Sequence, residues 1–370
     1  MKNENMNADF SAIDNLLKKE LEKGTFPGAV LGIVSAKEVF YKKAFGLAQS
    51  EGAKRKMTKE TVFGLASLTK VVATTSAIMK LIEEGKMNLW DYLREYFPEI
   101  TDDKKELTIY HLLTHSSGYQ AIVKLWKKDM SYEEKINYIL NLELENEIGE
   151  LVNYSDPNFI LLGELVKRVT GKNLHQYTQE KIFSPLTMRN TVFNPLDNLS
   201  NLSKEDFAAT EYCSYRERMV VAEVHDENSY SLGGISGHAG LFSNIEDLNK
   251  FVMMLLNKGE FDGKKIFSEL TINTMIQNWT NNLNQNRALG WDLRDNFRSS
   301  GGVIFSKKAF GHTGFTGTSI WIDPDIKVGV ILLTNRVHPT RESKGIISLR
   351  PRLHNLIATT LNKLDLIEVV

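Results

Sequence analysis

Three short stretches carry the residues that could do chemistry. The first is Ala66-Ser67-Leu68-Thr69-Lys70, a Ser-x-x-Lys. On a helix, residues three apart share a face. The Ser67 hydroxyl then meets the Lys70 amine near the positive end of the helix dipole, which lowers the amine's hold on its proton. Burial or a second cation acts in the same direction. A neutral Lys70 would be able to accept the Ser67 proton, and the choice between it and Tyr154 as first acceptor stays open because their titrations are coupled. The second stretch is Tyr154-Ser155-Asp156. A phenol beside a lysine is stabilised as the phenolate and can relay protons. The third is His312-Thr313-Gly314, followed by Phe315. It reads as part of a strand running to Thr318, with Gly314 leaving room for a substrate backbone. The N–H of Phe315 is expected to pair with that of Ser67 as an oxyanion hole.

The elements that must position these groups follow from periodicity. Phe10, Ile13, Leu16, Leu17 and Leu21 predict a helix over about 9–23, ended by Gly24 and Pro27. Gly28–Val34 and Val39–Tyr41 read as a strand pair turning at Ala36-Lys37. A short strand at Val62-Phe63 leads into a helix from Ser67 to Glu84. From there to about residue 230 the pattern is mainly helical, with starts at Thr108, Ser131 and Asp156-Pro157. Asn244 caps a helix over Ile245–Leu256. Strands return at Leu289–Leu293, Gly317–Ile322 and Ile326–Thr334, and a helix over about Leu349–Leu364 closes the chain. The expected class is α/β (α+β): an antiparallel sheet built from both chain ends, flanked by the terminal helices, with a mainly helical region inserted. The expected division is residues 1–75 with 240–370 against 76–239, with the reacting groups at the interface.

Composition removes several classes. Forty-five basic and 46 acidic residues leave no positive excess for binding nucleic acid. One cysteine, Cys213, excludes an intramolecular disulfide framework and a cysteine-rich zinc module; it reads as a small packed or surface thiol. His111 and His115 are four apart on an expected helix face, but Leu112 stands where the zinc-protease pattern needs Glu, so no metal is expected. His225 and His238 flank the glycine-rich 233–237 run and either wall the site or close backbone hydrogen bonds. No Gly-x-Ser-x-Gly elbow and no phosphate-binding loop occur, and no cofactor is expected. The opening MKNENMNADF lacks a basic start and apolar stretch, and no apolar run approaches the roughly 20 residues of a membrane span. A cytoplasmic protein with a small-molecule or peptide substrate is expected.

Taken together and in order, Ser67-x-x-Lys70, Tyr154-Ser155-Asp156 and His312-Thr313-Gly314 resemble the serine β-lactamase and penicillin-binding protein superfamily. The tyrosine in the second motif resembles the class C branch, which includes D-alanyl-D-alanine carboxypeptidases, D-aminopeptidases and β-lactamase-like carboxylesterases. Connecting stretches are similar too, among them Thr108–Gly118, Gly163–Gly171 and Gly237–Ser243. The resemblance spans roughly residues 10 to 360. It implies Ser67 as the acylated nucleophile, Lys70 and Tyr154 as the proton-transfer pair, and His312, Thr313 and Gly314 lining the strand side. Two positions depart from the β-lactam-cleaving pattern. Asp156 stands for the usual Asn, and an ionised carboxylate accepts hydrogen bonds where an amide donates. Asn158 is a displaced substitute for that amide. His312 stands for the usual Lys, and as a group with an ordinary pKa near neutrality it is expected to shape activity between about pH 5 and 8. These departures favour a peptidase or esterase over a dedicated β-lactamase, with a weakly catalytic binding protein as the other alternative.

Overall fold

The computed structural model describes residues 9–199 and 201–367. Its main sheet has seven antiparallel strands. In spatial order they are Asp292–Leu293, Phe310–Thr313, Ser319–Asp323, Val328–Thr334, Gly28–Ser35, Val39–Gln49 and Arg55–Lys56. The two chain ends meet at the centre, in a register running from Ala29 opposite Thr334 to Ser35 opposite Val328. Both central strands are apolar and buried on both faces, so each face needs a covering layer. Helices Ser11–Glu22 and Gly345–Lys363 cover one face, where Ile13, Leu17, Leu349, Leu353 and Ile357 pack on Leu31, Ile33, Val330 and Leu332. Helix Ile245–Leu256 lies on the other. There Val30, Val34, Ile331 and Leu333 join one continuous core with the helices of the central part of the chain.

The expected class and terminal helices are therefore present. Several boundaries differ. The second strand continues past Tyr41 to Gln49, with the adjacent Lys42 and Lys43 pointing to opposite faces of the sheet. Lys42 pairs with Glu246 and Lys43 with Asp14. The last helix starts one turn early, at Gly345, and carries Pro351 inside. The strand expected through Thr318 stops at Thr313, and the chain turns back with Gly314 N–H donating to Thr318 O at 2.7 Å. The middle is less helical than its periodicity suggests. Between Asn198 and Glu227 the described residues form a single helical turn, Lys204–Asp206, and a two-residue hairpin, Tyr212–Cys213 with Arg218–Met219. Cys213 is buried.

The 233–238 segment packs against helix Asp156–Thr170 through glycines. A Cβ on Gly237 would sit 1.9 Å from Phe159 O, and one on Gly163 would sit 2.7 Å from Gly237 N. Neither contact tolerates a methyl group without backbone movement. Gly237→Ala is expected to lower unfolding free energy by about 1–3 kcal/mol, the cost of overpacking. Thermal and urea denaturation check this; an unchanged midpoint would show that the two segments separate freely.

Candidate active site

Ser67 follows a strained approach. Phe63–Gly64 pairs with Leu241–Ser243, Leu65 N–H donates to Leu241 O at 2.9 Å, and Ala66 then takes a left-handed φ of 49°. A non-glycine residue there stores strain that the surroundings must hold. The helix begins at once, but Lys70–Thr75 is wound as a π-helix before ordinary α-helix resumes over Ser76–Glu83. Single π turns recur at functional positions. Here Thr74 Oγ1 donates to Gly237 O at 2.7 Å within that stretch.

Lys70 is wholly buried. Its Nζ donates to Ser67 Oγ at 3.2 Å, Asp156 Oδ1 at 2.7 Å and His238 O at 3.1 Å. It also lies 5.0 Å from the centre of the Tyr154 ring. The first and second motifs thus meet at one ammonium. The charge state differs from the expectation. Burial is the largest influence and favours the neutral amine, but Asp156 and Tyr154 together outweigh it and raise the Lys70 pKa above the ordinary lysine value. Asp156 and Tyr154 thus favour the charged form of Lys70.

The Tyr154–Asp156 stretch is bolted to the 115–121 segment. Ser155 N–H donates to His115 Nδ1 at 3.1 Å, Ser155 Oγ donates to Gln120 O at 2.8 Å, and Asp156 N–H donates to Ala121 O at 3.0 Å. The expected shared face of His111 and His115 is absent because the helix ends at Leu113, and His115 turns left-handed at φ 59°. His111 Nδ1 accepts from Thr108 N–H, while the His115 ring packs 4.5 Å from Tyr154. Asn158 is buried, with its Oδ1 accepting from Ser117 Oγ at 2.6 Å, so it does not stand in for an active-site amide.

A cavity of about 380 Å³ is lined by Ser67, Tyr154, His312, Thr313, Gly314 and Phe315. The three motifs therefore share one space. Asp156 does not line it, being placed behind Lys70. Gly314 also works differently from the expectation. Its missing Cβ makes room for the protein's own chain, since a methyl there would sit 2.1 Å from Thr318 Oγ1 and 2.5 Å from Leu65 O. Thr316 Oγ1 donates to Gly64 O and Thr318 Oγ1 to Leu65 O, both at 2.9 Å. The N–H groups of Ser67 and Phe315 find no acceptor among the described residues.

Sequence reasoning missed three arginines in the cavity wall: Arg287, Arg336 and Arg350. Arg350 left a trace, being a charge on the apolar face of the last helix between Leu349 and Leu353. Arg287 and Arg336 sit in irregular segments without a spacing signal. His225 and His238 line no part of this cavity. His225 Nε2 is 3.0 Å from Glu211 Oε1 with its ring stacked on Phe315, and His238 Nε2 is 2.9 Å from Asp226 Oδ1. Asp156, Asp226 and His238 bring one donor atom each to within 4.8 Å of one another, the arrangement among the described residues that could hold a metal ion. Lys70 already supplies positive charge there.

The profile described as Beta-lactamase matches residues 13–350. The chain belongs to that family. It is 32% identical over 362 residues to the N-acetylmuramyl-L-alanine amidase of Bacillus subtilis strain 168, covering 88% of this chain and 80% of that one. It is likewise 32% identical to a provisionally named D-alanyl-D-alanine carboxypeptidase of Escherichia coli K12, over 88% and 82%. The octameric penicillin-binding protein homologue from Pyrococcus abyssi superposes with a TM-score of 0.75 at 25% identity, over 95% and 78%. As a member of this family the chain is a serine hydrolase. No helix among the described residues is long and apolar enough to cross a membrane.

His312 is buried, and its Nδ1 must donate to Thr313 O at 2.9 Å, because a carbonyl only accepts. Burial first, then Lys70 and Arg287, hold its pKa well below the ordinary histidine value. The imidazole is therefore held towards its neutral form, contrary to the titration expected from its type. Because the pKa is depressed, its stabilising effect is full above the unfolded value near 6.5 and is lost as pH falls towards the folded value. The ring-proton resonance of His312 in NMR is expected to titrate with a midpoint well below the ordinary histidine value. A midpoint near 6.5 would contradict this.

Proposed function

We propose that the protein cleaves an amide or ester whose leaving portion carries a carboxylate, through an acyl-enzyme on Ser67. The observation that carries the substrate class is Arg287. It is buried, it lines the Ser67 cavity, and its guanidinium donates no hydrogen bond to any described residue; Nε is buried without a partner. A buried cation left unpaired is costly, and a substrate anion is the group that would satisfy it. Both curated relatives named above have names that describe amide cleavage, which supports a peptide-type substrate. A neutral His312 in place of a lysine disfavours the alternative of a dedicated β-lactamase.

With Lys70 in its charged form, the proton acceptor in this reading is the phenolate oxygen of Tyr154, which becomes the phenol when it takes the Ser67 proton. Its ring stands 5.0 Å from the Lys70 ammonium and 5.6 Å from the Arg287 guanidinium, two charges able to stabilise a negative oxygen. Ser67 Oγ attacks the carbonyl as its proton passes to Tyr154. The carbonyl oxygen becomes negative against the N–H groups of Ser67 and Phe315. Tyr154 then returns the proton to the leaving nitrogen or oxygen, the bond breaks, and water repeats the sequence to free Ser67. Lys70 stays protonated throughout, donating to Ser67 Oγ and held by Asp156.

Two outcomes are expected. Tyr154→Phe loses acylation by about 10²-fold or more, the scale of general-base catalysis. Lys70→Arg, which keeps charge but cannot act as a base, retains more activity than Lys70→Ala. Stopped-flow acylation by a p-nitrophenyl ester reads both; equal loss in the two Lys70 variants with a near-normal Tyr154→Phe would return the base role to Lys70. Separately, Arg287→Gln raises KM by about tenfold or more for a peptide with a free C-terminal carboxylate, the worth of one charged hydrogen bond. The same variant leaves KM for a neutral ester within about twofold. Equal effects on both substrates would remove the carboxylate from the proposal.

A further inference from the structure

Arg350 is a second buried guanidinium, and its contacts run away from any acid. It projects from the helix Gly345–Lys363 and its Nη2 donates to Gly314 O at 3.2 Å and Thr318 O at 2.7 Å. Its Nε has no partner, and it forms no ion pair among the described residues. Burial, the largest influence, and the nearby Arg336 pull its pKa down to about 9, which leaves it a cation at neutral pH. Gly314 O, which also accepts from Gly317 N–H at 3.0 Å, belongs to the peptide unit whose other end is the Phe315 N–H, so Arg350 is the charged one of its two donors. That unit is planar and trans, so its C=O and N–H point in opposite directions. The next carbonyl, Phe315 O, accepts from Arg336 Nε at 2.8 Å. The peptide is thus gripped on both sides of its free N–H.

We propose that Arg350 is the positioning residue of the oxyanion hole: it fixes the Gly314–Phe315 peptide and polarises it, cation at the carbonyl end, towards the negative oxygen at the N–H end. Hydrogen bonds in series polarise one another, more so where water is excluded. The positive charge thereby reaches the reacting carbonyl through one peptide unit without touching substrate. This inference rests on the reading of Ser67 and Phe315 as the oxyanion donors. It differs from the role given to Arg287, which binds the substrate's own anion.

The test uses a neutral p-nitrophenyl ester with a ¹³C-labelled carbonyl, so no substrate carboxylate is present. Arg350→Met replaces the cation by a long apolar side chain, and Arg350→Lys keeps charge but reaches fewer carbonyls. In the wild type, the infrared band of the acyl-enzyme carbonyl is expected below that of the unfolded acyl-enzyme, the mark of a hydrogen-bonded oxyanion site. In Arg350→Met the band moves back up and kcat falls by about tenfold or more, part of the loss seen when an oxyanion donor is deleted. KM changes by no more than about twofold, because ground-state binding is untouched. Arg350→Lys lies between. A wild-type band that is not lowered would show that the oxyanion reading fails, and the inference falls with it. A lowered wild-type band with unchanged band and kcat in Arg350→Met would overturn the inference alone. So would a loss confined to carboxylate substrates, which would make Arg350 a substrate-binding group. If Arg350→Met does not fold, an unshifted band in Arg350→Lys overturns the proposal by itself.

Discussion

The site depends on one contact, the docking of the Gly314–Thr318 turn onto the chain that leads into Ser67. Two threonine hydroxyls from the turn cap the carbonyls of Gly64 and Leu65, and Gly314 has no Cβ to hold the two segments apart. Residues some 250 positions apart in sequence are thereby fixed edge to edge. The sheet makes this possible. Its centre joins the first strand to the last, and the strand Phe310–Thr313 is carried in by pairing with Ser319–Asp323. Ser67 and Phe315, far apart in sequence, then line one cavity, where the proposed oxyanion donors are their N–H groups. Preorganised donors of this kind need no rearrangement when charge develops, which is why they account for much of the rate gain in acyl transfer.

The same contact explains the electrical character of the site. Lys70, Arg287, Arg336 and Arg350 surround the cavity or its floor, and of these only Lys70 is paired with a carboxylate among the described residues, that of Asp156. Unpaired buried cations cost stability. They also hold His312 and His115 in the neutral form, burial being the first cause and Lys70 and Arg287 contributing in both cases. The arrangement makes sense where negative charge appears during the reaction and on the substrate. Two of the residues in left-handed backbone, Ala66 and His115, lie immediately beside reacting groups.

Much of this was legible in the sequence. The terminal helices, the central strand pair and the cap at Asn244 follow from period and turn chemistry alone, because those elements bury a regular face. The three motifs were visible as residue types at short spacing, and their order identified the family. What could not be read were consequences of convergence. Asp156, 86 positions away, and the tyrosine beside it bear on the lysine's hold on its proton, and a local argument from helix dipole and burial could not include them. The imidazole of His312 was judged by its type, whereas burial among cations decides it. Gly314 looked like room for a ligand and is room for Leu65 and Thr318. The arginines lay in irregular segments or on a helix whose apolar face drew attention away from its one charge.

The central claim is that a single serine, activated by groups from all three motifs, is the nucleophile. It is tested most directly by intact mass followed by peptide mapping after exposure to a fluorophosphonate probe. One adduct per chain, located on the peptide containing Ser67 and absent from Ser67→Ala, is the predicted result. An adduct on another residue, or equal labelling of the wild type and Ser67→Ala, would contradict the account.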